Sequence, residues 1–222
     1  MRLWSARGYG RRAALGTALA GIGVFRAARA AEPIRLLALG DSLTAGYGLP
    51  PGQGFVPQLQ RALAGRGRPV RVIDAGVSGD TTAGGLARLD WALADNPQAV
   101  IVELGGNDGL RALPPAQTRA NLAAILDRLK ARGIPTLLAG MLAPPNLGAE
   151  YGREFAAVFQ DLARQHPEVV FYPFFLDGVA GEAALNQPDG IHPNEKGLAE
   201  ILRRFVPAVE TLLERVPGPP AG

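Results

Sequence analysis

The sequence predicts a three-layer α/β domain whose parallel sheet is covered by helices on both faces. Three observations predict it. Apolar runs of strand length alternate with segments whose apolar residues recur at helical spacing. The strand-like runs are continuous rather than alternating, as befits strands buried on both faces. Glycine, asparagine or proline punctuates many of the junctions.

Taken in order, Ile34–Leu39 is an apolar run ending at Gly40, and Phe55–Ala64 has helical spacing that Gly65-Arg66-Gly67 stops. Val70–Ile73 reads as a second strand. Leu86–Ala94 reads as a helix ending at Asn96-Pro97, and Ala99–Leu104 is an apolar run interrupted only by Glu103. In Gln117–Arg132 the residues Leu122, Ile125, Leu126 and Leu129 mark a 3.6-residue period that stops at Gly133. Ile134–Ala139 is a fourth strand, Arg153–Gln165 a further helix and Val169–Tyr172 a short fifth strand. Asn194–Leu213 closes the domain as a helix, with Asn194 as its N-cap. This is β-α repeated about five times, which makes one three-layer domain over residues 31–215. In such a sheet ligands bind at the carboxyl ends of the strands. Attention therefore falls on residues 40–48, 75–81, 105–115 and 140–152.

Charge separates the first 30 residues from the rest. The 222-residue chain has 23 Lys and Arg against 20 Asp and Glu, a formal charge of +3. Six of the arginines (Arg2, Arg7, Arg11, Arg12, Arg26, Arg29) lie in residues 1–30, which hold no acid, so the remainder carries −3. The basic start, the 13-residue apolar run Ala13–Phe25 and Ala28-Arg29-Ala30 have the layout of an export signal with cleavage near Ala30/Ala31. Spanning a bilayer takes roughly 20 apolar residues, so a stable membrane anchor is not expected. Arg11-Arg12 leaves both the general and the twin-arginine export routes open. The expected location is periplasmic or secreted. Residues 216–222 read as a flexible tail. No basic-aromatic patch points to nucleic acid. The absence of cysteine excludes disulfides, a thiol nucleophile and thiolate metal sites.

Scarcity directs the search for chemistry. After residue 30 the chain has two serines, Ser42 and Ser78, and two histidines, His166 and His192. Ser42 follows the first strand in Gly40-Asp41-Ser42-Leu43, where a strand-to-helix turn can expose a hydroxyl beside backbone N–H groups. The same position also suits a helix N-cap. Ser78 follows the second strand, but Asp80 stands where the G-x-S-x-G elbow needs glycine. Ser42 is favoured and Ser78 stays a rival. His192 lies in Asp189-Gly190-Ile191-His192-Pro193, where a tight turn can fold the carboxylate back onto the ring. His166 ends a helix, a common place for a cationic or polar side chain. Asn107, in Gly105-Gly106-Asn107-Asp108, and Gly79 offer N–H donors on the same predicted edge. Asp41 and Asp80 read as turn caps, and no metal-ligand spacing is present.

Gly40-Asp41-Ser42-Leu43, Gly79, Gly105-x-Asn107-Asp108 and Asp189-x-x-His192 fall in the order and spacing of the four sequence blocks of the SGNH (GDSL) hydrolases. The longer stretches at 40–48, 78–89, 102–111 and 189–194 resemble the bacterial periplasmic thioesterase/lysophospholipase and arylesterase branch, with similarity from Ile34 to Leu213. The resemblance implies a flavodoxin-like α/β/α sandwich with a five-stranded parallel sheet and no cofactor. It implies Ser42 as nucleophile, His192 as base and Asp189 as its orienting acid, with Ser42 N–H, Gly79 N–H and the Asn107 side chain as the oxyanion hole. The function it implies is hydrolysis of carboxylic esters or thioesters, lysophospholipids among them, by a monomer acting on a small acyl substrate. A polysaccharide O-acetyl esterase would use the same site. Ala112–Pro115 and Ala143–Leu147 are expected to flank the acyl group.

Overall fold

A computed structural model describes residues 32–217. The proposed export signal, and residues 218–222 of the proposed tail, lie outside the described residues.

Five strands form one parallel sheet: β1 (Ile34–Gly40), β2 (Val70–Gly76), β3 (Ala99–Glu103), β4 (Thr136–Ala139) and β5 (Val170–Tyr172). Their order is β2-β1-β3-β4-β5. All four pairings are parallel, with Gly40 facing Gly76 on one side and Glu103 on the other. The central strands are the most apolar. Every residue of β3 is buried, and so are the last five of β1.

Among the described residues eight α-helices flank the sheet: α1 (Ser42–Ala45), α2 (Phe55–Gly65), α3 (Thr82–Ala87), α4 (Leu89–Ala92), α5 (Gly106–Leu110), α6 (Pro115–Ala131), α7 (Ala149–Gln165) and α8 (Glu195–Glu214). Helix α2 packs on α8, and α6 packs on both α3 and α7. Each long helix turns one apolar stripe inward. In α8 that stripe includes Leu198, Ile201, Phe205, Val209 and Leu212. The expected cap at Asn194 is present: its side chain accepts from the N–H groups of Lys196 and Gly197. Phe55, Phe175, Phe205 and Tyr172 meet edge to face in one cluster, and in another Tyr151 stacks on Phe155, which meets Phe159 edge to face.

The α/β fold class and the five strands agree with the sequence expectation, but several boundaries differ for local reasons. The helix expected at Leu86–Ala94 is divided into α3, α4 and a 3₁₀ turn at Leu93–Asp95. Strand β4 begins at Thr136 rather than Ile134, directly after Pro135, whose missing N–H cannot join a ladder. Strand β2 runs on to Gly76 because its partner β1 is long enough to pair with it throughout. Among the described residues no helix is long and apolar enough to cross a membrane.

Candidate active site

With all strands parallel, the loops that follow them share one edge of the sheet. Strand order reverses at β1, since β2 lies on one side of it and β3 on the other. The crevice outside the carboxyl ends of β1 and β3 is where ligands bind in such sheets. Ser42 follows β1 and Asn107 follows β3, so the topology brings both to that crevice.

Asp41 ends β1's turn and caps α1, its carboxylate accepting the Leu43 N–H at 3.0 Å. Ser42 is therefore the first residue of a helix, where a backbone N–H has no intrahelical acceptor. The loop before α8 supplies the histidine. Asp189 accepts the backbone N–H groups of Ile191 at 2.9 Å and His192 at 3.0 Å, and Gly190 takes a φ of 68° between them. This turn folds the carboxylate back onto the ring: His192 Nδ1 lies 2.7 Å from Asp189 Oδ2. On the far side of the ring, Nε2 lies 2.9 Å from Ser42 Oγ. A carboxylate only accepts, so Nδ1 carries the proton and Nε2 is left to accept from the serine hydroxyl.

Electrostatics separate the two acids of the site. Desolvation works to raise the Asp189 carboxyl, but the hydrogen bonds from His192 and Ile191 outweigh it and hold it at about 2. Asp41 is 1% exposed, and burial raises it to about 6 against the opposing pull of the Leu43 N–H, Asn107 and His192. Below it, Glu103 is fully buried, and burial together with the Asp41 charge pushes it well above the usual carboxylate range.

Asn107 ties the segments together. Its amide donates to the Asp80 carbonyl at 2.9 Å and to Asp41 Oδ2 at 3.2 Å. Gly79, next to Asp80, has a φ of 84° on an exposed turn, with its carbonyl bound by Arg111 at 2.8 Å. Asp108 joins α5 to α3 and α6 from below, accepting the N–H and hydroxyl of Thr82 and the hydroxyl of Thr118. Arg88 pairs with Asp80 at 2.6 Å and donates to the Gly40 carbonyl at 2.8 Å. Gly105, with φ of 115°, turns the chain toward α5, and a Cβ there would stand 2.9 Å from Phe159 Cζ.

The rival residues are elsewhere. Ser78 is exposed, and no hydrogen bond joins it to either histidine among the described residues. His166 caps α7 just before β5, which places it at the amino edge of the sheet, opposite Ser42.

Ser42 opens onto a cavity of about 660 Å³. Its walls include Leu110, Met141, Leu142, Phe174, Leu176 and Ile191, with Asp41 and Asn107 at the serine end. Ala143, Pro144 and Pro145 line it as expected, whereas Ala112–Pro115 do not and instead lead into α6. Phe174, Leu176 and Ile191 carried no sequence signal beyond being apolar. Leu110, Leu142 and Ile191 are also among the few exposed large apolar residues, with Tyr47 and Val77 on neighbouring loops. The Tyr47 ring lies 4.7 Å from that of His192.

Residues 38–199 match the model of the GDSL-like Lipase/Acylhydrolase family. The chain is 45% identical to Esterase TesA of Pseudomonas aeruginosa over 179 residues, which is 80% of this chain and 89% of that protein. It is 41% identical to Thioesterase 1/protease 1/lysophospholipase L1 of Escherichia coli over 167 residues, covering 75% of this chain and 78% of that one. A crystal structure of TesA superposes with a TM-score of 0.76 at 44% identity, over 80% of this chain and 99% of that structure. The structure of AlinE4, an SGNH-hydrolase family esterase, gives 0.69 at 48% identity, over 82% and 97%. By sequence, by fold and by the grouping of Ser42, Asn107 and His192 at one sheet edge, the chain belongs to the GDSL-like lipase/acylhydrolase family of ester hydrolases.

Proposed function

We propose that this protein is an exported serine esterase that hydrolyses carboxylic esters or thioesters through an acyl-enzyme. The observation that carries the reading is the unbroken relay Asp189–His192–Ser42, at 2.7 and 2.9 Å, at the mouth of an apolar cavity. In this reading Ser42 Oγ attacks the acyl carbonyl carbon while His192 Nε2 takes its proton. Asp189 keeps the ring in the accepting tautomer and stabilises the imidazolium. The carbonyl π electrons move onto oxygen, and the oxyanion is held by Ser42 N–H, Gly79 N–H and the Asn107 amide. Collapse expels the alcohol or thiol, which takes the proton from His192. Water, activated by the same imidazole, then releases the acid.

The cavity volume is in the range of small-molecule sites, and its lining suits an alkyl or aryl acyl group better than a sugar. Lysophospholipids fall within the substrates such a cavity accommodates. Residues 1–30 serve as the export signal in this reading, and the enzyme acts as a monomer. A chromogenic short-chain acyl ester, assayed with wild type and Ser42→Ala, tests the chemistry. The wild type is expected to show turnover that the variant lacks, and equal rates would reject it. Mass spectrometry of the amino terminus of protein recovered from the cell envelope tests export, with a start near Ala31 expected.

A further inference from the structure

Asp41 touches the site but has no part in the reaction just described. It lines the cavity beside Ser42 and Asn107, and its side chain is almost completely buried. A carboxylate in such a place needs compensating partners, and it has two: the Leu43 N–H on Oδ1 and the Asn107 amide on Oδ2.

The Asn107 amide has two hydrogens, and both are already accepted, one by the Asp80 carbonyl at 2.9 Å and one by Asp41 at 3.2 Å. To bind an oxyanion the amide must give one of them up. The bond to Asp41 is the longer, and Asp41 is the acceptor that lines the cavity, whereas Asp80 does not. Beneath Asp41, Thr44 donates its hydroxyl to Glu103 Oε2 at 2.7 Å, while Glu103 Oε1 is buried without a partner. This contact clamps α1, which carries Asp41 at its start, to the end of β3, which leads into Asn107.

We propose that Asp41 is a positioning residue for Asn107, holding one amide N–H beside Ser42 in the free enzyme and releasing it to the oxyanion in the transition state, with Thr44 and Glu103 bracing the turn. The inference rests on the ester-hydrolase reading and on Asn107 as an oxyanion donor. Charged or titratable groups reach Asp41 from three elements: Glu103 from β3, Asp108 from α5 and His192 from the loop before α8. Burial pushes the Glu103 carboxyl well above the usual carboxylate range, and Asp108 is engaged by Thr82 and Thr118.

Asp41→Asn tests this by steady-state kinetics on a short chromogenic ester, alone and combined with Asn107→Ala. Expected is a fall in kcat of about 10- to 100-fold with KM within about twofold, since small misplacements act on the transition state. In the Asn107→Ala background, the same substitution has almost no further effect on kcat. Full additivity in the double variant, or an unchanged kcat in Asp41→Asn, would overturn the proposal. If Asp41→Asn does not fold, Thr44→Val must lower kcat and be non-additive with Asn107→Ala, and additivity there overturns it equally. Failure of the underlying reading looks different: Ser42→Ala would match the wild type.

Discussion

The His192 ring has a carboxylate on one nitrogen and a hydroxyl on the other, and that asymmetry sets its tautomer. An asparagine at 189 keeps an oxygen for the Ile191 and His192 N–H groups, but can turn its amide toward Nδ1 and favour the wrong tautomer. Asp189→Asn is therefore expected to fold, with a melting temperature near that of wild type, and to lose about 10²- to 10⁴-fold in kcat. Because Asp189 is held at about 2, what its charge adds to stability is present above the ordinary carboxylate range and lost only as pH falls through that value. Asn107→Ala is expected to lower kcat by roughly 10²- to 10³-fold, measured alongside a thermal melt. Leu142 stands half exposed on the cavity wall. Leu142→Trp is expected to raise KM for long-chain acyl esters while leaving short-chain esters near wild type, which a chain-length panel reads directly.

At the scale of elements, the Ser42 turn depends on how tightly α1 sits on β2. A Cβ at Gly76 would stand 2.4 Å from the backbone nitrogen of Ala45 and 2.8 Å from its Cα, and backbone cannot swing away. Gly76→Ala is expected to cost about 1–3 kcal/mol. For a domain of this size that lowers Tm by roughly 2–4 °C per kcal/mol, and kcat falls with it because α1 carries Ser42. A thermal melt and an ester assay on the same sample check both. Periodicity located the long helices α2, α6, α7 and α8 because each has two or more turns of apolar stripe. It did not locate α1 and α5, which are four and five residues long and too short to show a period. These are the helices that carry Ser42 and Asn107.

At the scale of the molecule, the buried acid pair gives the fold a pH dependence of definite sign. Glu103 and Asp41 have folded-state pKa values raised by burial, so their contribution is fully present below the ordinary carboxylate range and is lost as pH rises through the raised values. Glu103→Gln removes the more deeply buried of the two titrating groups. The Tm of Glu103→Gln minus that of wild type is expected to increase between pH 5 and pH 8. A constant difference across that range would show that Glu103 stays ionised in the folded protein.

The fold class was legible in the sequence, because continuous apolar strands and amphipathic helices are local patterns that survive without knowledge of contacts. The sequence also narrowed the chemistry, because with two serines and two histidines after residue 30 few pairings existed, and the resemblance to the family's sequence blocks pointed to Ser42 and His192. Tertiary structure alone decided what lies beside what. Ser42 and His192 are 150 residues apart in sequence, and Asp41 and Asn107 are 66 apart. Their meeting depends on the strand order β2-β1-β3-β4-β5, which no local pattern encodes. The cavity wall of Phe174, Leu176 and Ile191, and the prior claim of Asp41 on the Asn107 amide, arise from the same cause. A parallel sheet delivers loops distant in sequence to one edge, and only their packing there fixes which side chains touch.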